Sequence, residues 1–270
     1  MIQLQSIHKT FHPGTLNEVR ALRGIDLQIR RGEFVTIIGT NGSGKSTLLN
    51  VLAGTVRPDS GKIVIGGKDV TRQQEHQRAR TIARVFQNPF LGTAPDMTIA
   101  ENLLIASLRG KRRHLRIGLS SARKNRFREQ ISRLEMQLED RLDHLIGTLS
   151  GGQRQAVSLL MAVLNKPDVL LLDEHTAALD PKSAAQVLAL TRSFIESENL
   201  TAFMVTHSMS QALDLGDRTL MMHKGEMIDD ISAEEKKRLT VDDLLDKFAD
   251  LRKAEKLTDE MLEQLRREYR

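Results

Sequence analysis

Apolar and polar positions change their spacing several times along the chain, and each change predicts an element. Ile2, Leu4 and Ile7, then Leu27 and Ile29, mark two early strands around a Pro13-Gly14 loop. Phe34-Val35-Thr36-Ile37-Ile38 is a short β-rich run that stops at a glycine-rich turn. Residues 46–53 follow with a helical pattern that Gly54 ends, so the order here is strand, loop, helix. Ile63-Val64-Ile65 predicts a further strand with Gly66-Gly67 as its turn. From about 88 to 165 the pattern is mostly helical, with 99–107 and 123–138 as pieces, and this block reads as an inserted subdomain. Strand patterns return at 169–172 and 202–205. Continuous apolar strands separated by helices predict a parallel sheet covered on both faces, an α/β architecture. A change of texture near 232 divides the chain into a main domain, 1–231, and a C-terminal helical tail, 232–270. In the tail, Leu244, Leu245, Phe248 and Leu251 share one helical face and Met261, Leu262 and Leu265 another.

Composition narrows the class. The 270 residues are 40% apolar, enough for a real core. No apolar run approaches the roughly 18–20 residues of a membrane helix, and the first residues lack the pattern of a secretory signal, so any membrane role is expected to be peripheral. With no Cys, disulfides, thiol chemistry and Cys-based zinc sites are excluded. The net charge of +5 raises nucleic acid or an anionic membrane surface as partners. Single-strand binding needs aromatic platforms, and the chain has no Trp and one Tyr, at 269; no nucleic-acid partner is expected.

The turn after the third strand carries chemistry. Gly39-Thr40-Asn41-Gly42-Ser43-Gly44-Lys45-Ser46 fits the phosphate-binding pattern G-x-x-x-x-G-K-[ST] completely. Glycines let the backbone curl so that successive N–H groups point at phosphate oxygens, and the following helix presents its positive N-terminus to the same anion. Lys45 supplies a full charge for the β- and γ-phosphates, and Ser46 offers a hydroxyl to magnesium. The bland reading is a glycine-rich turn joining a strand to a helix; here the predicted strand lies directly before and the helix directly after, the context the motif requires.

Two acids stand at the end of another apolar strand. Val169-Leu170-Leu171-Leu172 runs straight into Asp173-Glu174, which places both carboxylates at the strand end where such sheets bind ligands. Asp173 is read as the magnesium ligand and Glu174 as the general base that polarises the attacking water. Val205-Thr206-His207 ends a strand in the same way, so His207 can contact the γ-phosphate. Gln87, after the strand-like Ala83-Arg84-Val85-Phe86, could touch magnesium or water, or be an ordinary polar loop residue. Leu149-Ser150-Gly151-Gly152-Gln153 precedes a helical run and offers a second anion site at a helix N-terminus; alone it could be a Ser cap with a glycine turn.

Taken in order, the loop at 39–46, Gln87, Leu-Ser-Gly-Gly-Gln at 149–153, Leu-Leu-Leu-Asp-Glu at 170–174, Ala-Leu-Asp at 178–180 and His207 resemble the nucleotide-binding subunits of ABC transporters across nearly all of 1–231. The resemblance implies a P-loop NTPase (RecA-like) core with an N-terminal antiparallel β region and an inserted α-helical subdomain. It implies ATP and Mg2+ as cofactors, with Gly39, Asn41, Gly42, Ser43, Gly44, Lys45, Ser46 and Thr47 on the nucleotide of their own chain. Ser150, Gly151, Gly152 and Gln153 would meet the nucleotide of a second chain, because each ATP in this family is sandwiched between one chain's phosphate loop and the other's signature; Asp180 is a further nucleotide-binding residue. Catalytic roles fall on Lys45, Gln87, Glu174 and His207, and metal-binding roles on Ser46, Gln87 and Asp173. Implied partners are a second nucleotide-binding subunit, an integral membrane permease, and a periplasmic or extracellular substrate-binding protein acting through that permease. The implied location is peripheral, at the cytoplasmic face of the cell membrane. Adenine normally stacks on an aromatic residue of the first β region; Phe11 is the candidate, with His12 beside it, and strand-end core explains Phe11 as well.

One departure stands out: Asp-Glu is usually followed in this family by Pro-Thr-Ser, and here by His175-Thr176-Ala177, a loss of Pro expected to relax the turn. The run at 173–181, with the one at 87–98, resembles an importer group that pairs with a branched-chain-amino-acid-type permease, some of whose systems take aromatic amino acids. The alternatives are the same motor on an export or lipoprotein-release system, and a soluble ABC ATPase of DNA repair or translation. Between 109 and 128 the chain carries Arg109, Lys111, Arg112, Arg113, Arg116, Arg123, Lys124, Arg126 and Arg128 and no acid. Either this is a solvated face, or it faces the permease and anionic lipid headgroups.

Overall fold

Where a strand is covered on both faces its side chains are mostly apolar, and the central strands of this chain follow that pattern; the exception inside the strand Phe34–Gly39, Thr36, is fully buried and meets Thr219 Oγ1 (2.8 Å) and Ala212 O (3.2 Å). The computed structural model describes residues 1–111 and 118–253, the last four of these by backbone alone. Its elements run β1 (Ile2–Phe11), β2 (Val19–Ile29), β3 (Phe34–Gly39), α1 (Lys45–Ala53), β4 (Ser60–Ile65), β5 (Lys68–Asp69), α2 (Glu75–Arg78), β6 (Ile82–Val85), α3 (Ile99–Ser107), α4 (Ser121–Ser132), α5 (Gly151–Val163), β7 (Val169–Asp173), α6 (Pro181–Glu198), β8 (Thr201–Val205), α7 (Met209–Asp214), β9 (Arg218–His223), β10 (Glu226–Ile231), α8 (Ala233–Lys236) and α9 (Val241–Lys253).

Among the described residues two sheets form. The smaller, in the order β2-β1-β4-β5, is antiparallel; the larger has the order β10-β9-β3-β8-β7-β6. In the larger sheet β9, β3, β8, β7 and β6 run parallel, and β10 closes one edge antiparallel to β9. This is the expected α/β core, and the β9–β10 pair adds an edge that short runs broken by Lys224-Gly225 did not announce. Alternate residues point to opposite faces. Leu170 and Leu172 of β7 join one apolar cluster with α3, α4, α5 and α6, while Val169 and Leu171 join another with α1 and the antiparallel sheet. Ala202 and Met204 of β8 divide from Phe203 and Val205 in the same way.

The helical insert packs on the first face through Ile99, Leu103, Phe127, Ile131 and the apolar side of α5. Helix α1 is fixed at its far end by Arg78, whose buried guanidinium donates to Val51 O (2.7 Å), Leu52 O (2.7 Å) and Val70 O (2.6 Å). A cation at the carbonyl end of a helix complements its dipole. After β10 come α8 and α9, and α9 buries Leu244 and Phe248 against Ile38, Met209 and Met221. Met261, Leu262 and Leu265 lie outside the described residues.

The basic stretch looks different in three dimensions. Arg109 turns inward and donates to Ala162 O (2.8 Å), and Lys124 and Arg128 lie 2.6 Å and 4.0 Å from Asp143 and Asp140. Acids distant in sequence therefore neutralise part of it. Arg112, Arg113 and Arg116 lie outside the described residues.

Candidate active site

Strands β3, β8 and β7 are hydrogen-bonded neighbours in parallel register, so the segments that leave their carboxyl ends meet along one edge. From β3 the chain enters the glycine loop and then α1. Gly44, immediately before α1, sits in the left-handed region (φ 99°), and a Cβ there would lie 2.3 Å from Ala21 O of the antiparallel sheet. A Cβ on Gly39 would meet Met222 O at 2.2 Å. Only glycine fits at these two points, and the loop is wedged between the sheets. Gly225, in the β9–β10 turn, donates its N–H to Ser43 O (3.0 Å) and holds it from outside. Among the described residues no side chain caps α1, so its first N–H groups stay directed at the loop.

Inside this loop Lys45 is buried, its ammonium donating to Gly39 O (2.6 Å) and Thr40 O (3.1 Å). Burial pushes its pKa down, opposed by the charges of Glu174 and Asp173, so the lysine and both acids share one electrostatic neighbourhood. Ser43 Oγ is buried without a hydrogen-bond partner among the described residues. An orphaned hydroxyl beside an uncapped helix end and a buried ammonium fits a polyphosphate. Ser46 is exposed at the start of α1, with Thr47 next to it half-buried. Asn41 and Gly42 are exposed on the loop crest.

Asp173 ends β7. Its Oδ2 is 2.6 Å from Arg84 of β6, and Arg84 also donates to Asn50 Oδ1 of α1 (2.6 Å) while lying over the Phe86 ring. Arg84 thus ties together β6, β7 and α1, and sequence reading passed over it because its partners are distant in the chain. The donor set of Ser46 Oγ, one carboxylate at Asp173 and the amide of exposed Gln87 is all oxygen, the chemistry that suits Mg2+ held mainly by substrate phosphates.

Glu174 follows in the left-handed region (φ 48°), a costly conformation for a non-glycine residue. Its N–H donates to Val205 O (3.1 Å), and its carboxylate lies 2.6 Å from Nε2 of His207, at the end of the neighbouring strand β8. Asp173, Glu174 and His207 therefore stand together at the ends of the neighbouring strands β7 and β8.

His175 departs from expectation. Instead of a relaxed turn, the structure has a fully buried imidazole with Nε2 2.9 Å from Thr191 Oγ1 in α6. The Thr191 hydroxyl donates to Val187 O (2.8 Å), so it accepts from His175, which fixes the ring as the Nε2–H tautomer. Burial pushes the imidazole down to about 4, keeping it neutral at ordinary pH. Removing a proline took away one constraint, and packing supplied another.

The signature lies at the head of α5. Ser150 caps the helix, its Oγ accepting from Gln153 N (3.3 Å) while Gln153 Oε1 accepts from Ser150 N (3.3 Å). Ser150 and Gly151 are exposed. Gly152 packs on α6 so closely that a Cβ would meet Ser183 Oγ at 2.6 Å. From the same helix Gln155, fully buried, donates to Phe86 O (3.0 Å), which links the signature helix to the segment entering Gln87. Asp180 caps α6 through Ser183 N (3.0 Å), and hydrogen bonds from Ser183 hold its carboxyl below the usual range. Phe11 ends β1, half-buried, with Lys9 Nζ 5.5 Å from its ring centre and His12 beyond it in the left-handed region.

Residues 22–177 match the family model described as ABC transporter. The chain is 43% identical over 249 residues to the tyrosine transport ATP-binding protein of Clostridioides difficile, covering 92% of this chain and 98% of that one. It is 37% identical over 236 residues to lipoprotein-releasing system ATP-binding protein LolD 1 of Caulobacter vibrioides, covering 86% and 96%. Among solved structures, a dimeric ATP-binding cassette in a post-hydrolysis state with ADP and Pi superposes with a TM-score of 0.73 at 31% identity, covering 86% of this chain and 99% of that one.

Proposed function

The chain belongs to the ABC transporter family as an ATP-binding, ATP-hydrolysing subunit, and on that premise we propose how its own residues carry out the work. Lys45 and the loop N–H groups bind the ATP phosphates, with Ser43 Oγ gaining the partner it lacks. Ser46, Asp173 and Gln87 would hold Mg2+, which would neutralise phosphate charge there. Glu174 accepts a proton from the attacking water and His207 orients the Glu174 carboxylate beside the γ-phosphate. Phe11 offers its ring to adenine on the face away from Lys9.

The observation that carries this reading is the meeting of Glu174, His207 and Lys45 at the carboxyl ends of adjacent strands. The expected outcome for Glu174→Gln is retained ATP binding with hydrolysis lowered roughly 10²-fold or more, because an amide keeps shape and hydrogen bonding but takes no proton. The variant accumulates as an ATP-bound dimer, read by light scattering. Near-normal phosphate release from purified variant removes Glu174 from this role.

Cassettes of this family dimerise and work with membrane permeases. For this chain we propose a homodimer in which Ser150, Gly151, Gly152, Gln153 and Asp180 of one copy complete the site of the other; exposure of Ser150 and Gly151 on the surface supports it. Among the described residues no helix is long and apolar enough to cross a membrane. The likeness to transport ATP-binding proteins supports a peripheral place at the cytoplasmic face of the membrane beside a separate permease. Exposed Phe90 and Leu91, just after Gln87, offer that permease an apolar contact. We propose one ABC ATPase domain over 1–231 and a helical tail over 232–270. The likeness to a tyrosine transport protein favours amino-acid uptake, with aromatic amino acids as the substrate class and a substrate-binding protein delivering them. Likeness to a lipoprotein-releasing ATPase gives the second reading. Purifying the membrane partner and assaying tyrosine uptake in vesicles separates the two.

A further inference from the structure

We infer that His175 and Thr191 form a strut that positions Glu174 for hydrolysis by tying its turn to helix α6. This rests on the reading of Glu174 as the water-activating base. Glu174 occupies a left-handed backbone conformation that persists only where its surroundings over-determine it. Two restraints are backbone hydrogen bonds: Glu174 N to Val205 O (3.1 Å) and Ala177 N to Glu174 O (3.0 Å). The third is the next residue, whose side chain is buried and ends on Thr191 Oγ1 (2.9 Å), two helical turns and more from the start of α6.

The geometry makes this more than core filling. The hydroxyl of Thr191 is spent on Val187 O, so it presents only a lone pair to His175, and the ring meets it in one tautomer and one orientation. The buried chain from His175 Nε2 through Thr191 Oγ1 to Val187 O has one direction of donation, which narrows the arrangements open to the ring. One peptide unit from that fixed ring, the Glu174 carboxylate is aimed at His207 Nε2 (2.6 Å). Near its N-terminus α6 packs on the signature helix at Gly152 and Ser183, directly after its Asp180 cap. The strut therefore joins the water-activating turn to the helix that touches the signature. Proline, the residue the family usually carries after Asp-Glu, stiffens the backbone but has no side-chain donor for such a link.

The test uses the full chain, with ATP hydrolysis reported per folded protein. Thr191→Val keeps the shape of the side chain and removes the hydroxyl; kcat is expected to fall about tenfold with KM for ATP within about twofold of wild type, the pattern of a misplaced catalytic group rather than lost binding. Thr191→Ser keeps the hydroxyl and restores kcat to within about twofold. His175→Phe keeps a buried ring and removes the donor; it lowers kcat as Thr191→Val does, and the double variant loses nothing further, since both remove one link. Unchanged kcat in Thr191→Val, equal losses in the Ser and Val variants, or additive losses in the double variant each overturn the strut. ATP-driven dimerisation of Glu174→Gln with and without Thr191→Val supplies a readout apart from turnover, and it is expected to be the same in both. If Glu174→Gln itself hydrolyses ATP normally, the base assignment fails; if Glu174→Gln is inactive and Thr191→Val is not slowed, the strut alone fails.

Discussion

Arg84 ties the floor of the site together through Asp173 and Asn50. Its guanidinium is 14% exposed and faces an Asp173 carboxylate 16% exposed, with Asn50 as a second acceptor. Removing one member of a largely buried pair leaves the other charge without its partner, an effect far larger than loss of a surface pair. Arg84→Met is expected to destabilise the protein by about 2–3 kcal/mol. Arg84→Lys is expected to lose roughly half as much, because it keeps a charge but not the fork that reaches both acceptors. Urea midpoints at an unchanged m-value measure both. Equal stability of the Met variant and wild type would show that Asp173 finds another partner.

At the scale of elements, α8 is held to the end of α7 by one buried ammonium. Lys236 donates to Leu215 O (2.5 Å) and Gly216 O (3.0 Å), and burial pushes its pKa down to about 8 against the pull of Asp217 and Asp214. In the unfolded chain the group titrates near its ordinary value of 10.5. Below pH 8 both states are protonated and the desolvation cost is fully present. Between about pH 8 and 10.5 the unfolded chain binds more protons, so this group makes stability rise with pH, and the gain is lost again as pH falls. The full rise is about 3 kcal/mol. Subtracting the urea stability of Lys236→Met from that of wild type at several pH values isolates it; a flat difference across the window removes Lys236 from the account. The same scale explains the insert. Nine basic residues in sequence looked like a uniform positive face, yet folding brings Asp140 and Asp143 to α4 and turns Arg109 inward.

At the scale of the whole molecule, one chain carries both halves of a site on different surfaces. Lys45 lies in the loop between the two sheets, and Ser150 caps a helix of the insert. Lys45→Ala disables the phosphate half and Ser150→Arg the signature half, so each homodimer is inactive. Equal mixing puts half of the chains into mixed dimers with one intact site of two, and independent sites would restore about a quarter of wild-type hydrolysis. Phosphate release from the mixture, compared with each variant alone, measures this. A mixture no more active than its parents would count against shared, independent sites.

Residue order alone determined the phosphate loop, the Asp173-Glu174 strand end, the signature and the α/β class, because each depends on local spacing: a glycine turn between strand and helix, two acids after an apolar run, a Ser cap before a helix. The same held for most elements, whose period of burial is written in consecutive residues. Tertiary structure decided what depends on partners far apart in the chain. It paired Arg84 with Asp173 across 89 positions and replaced the stiffness of a missing proline with His175 on Thr191. It also neutralised part of the basic stretch with acids from beyond α4. Each of these depends on which side chains packing brings within about 3 Å and removes from water, and charge, hydrogen bonding and desolvation act through that distance rather than through sequence separation.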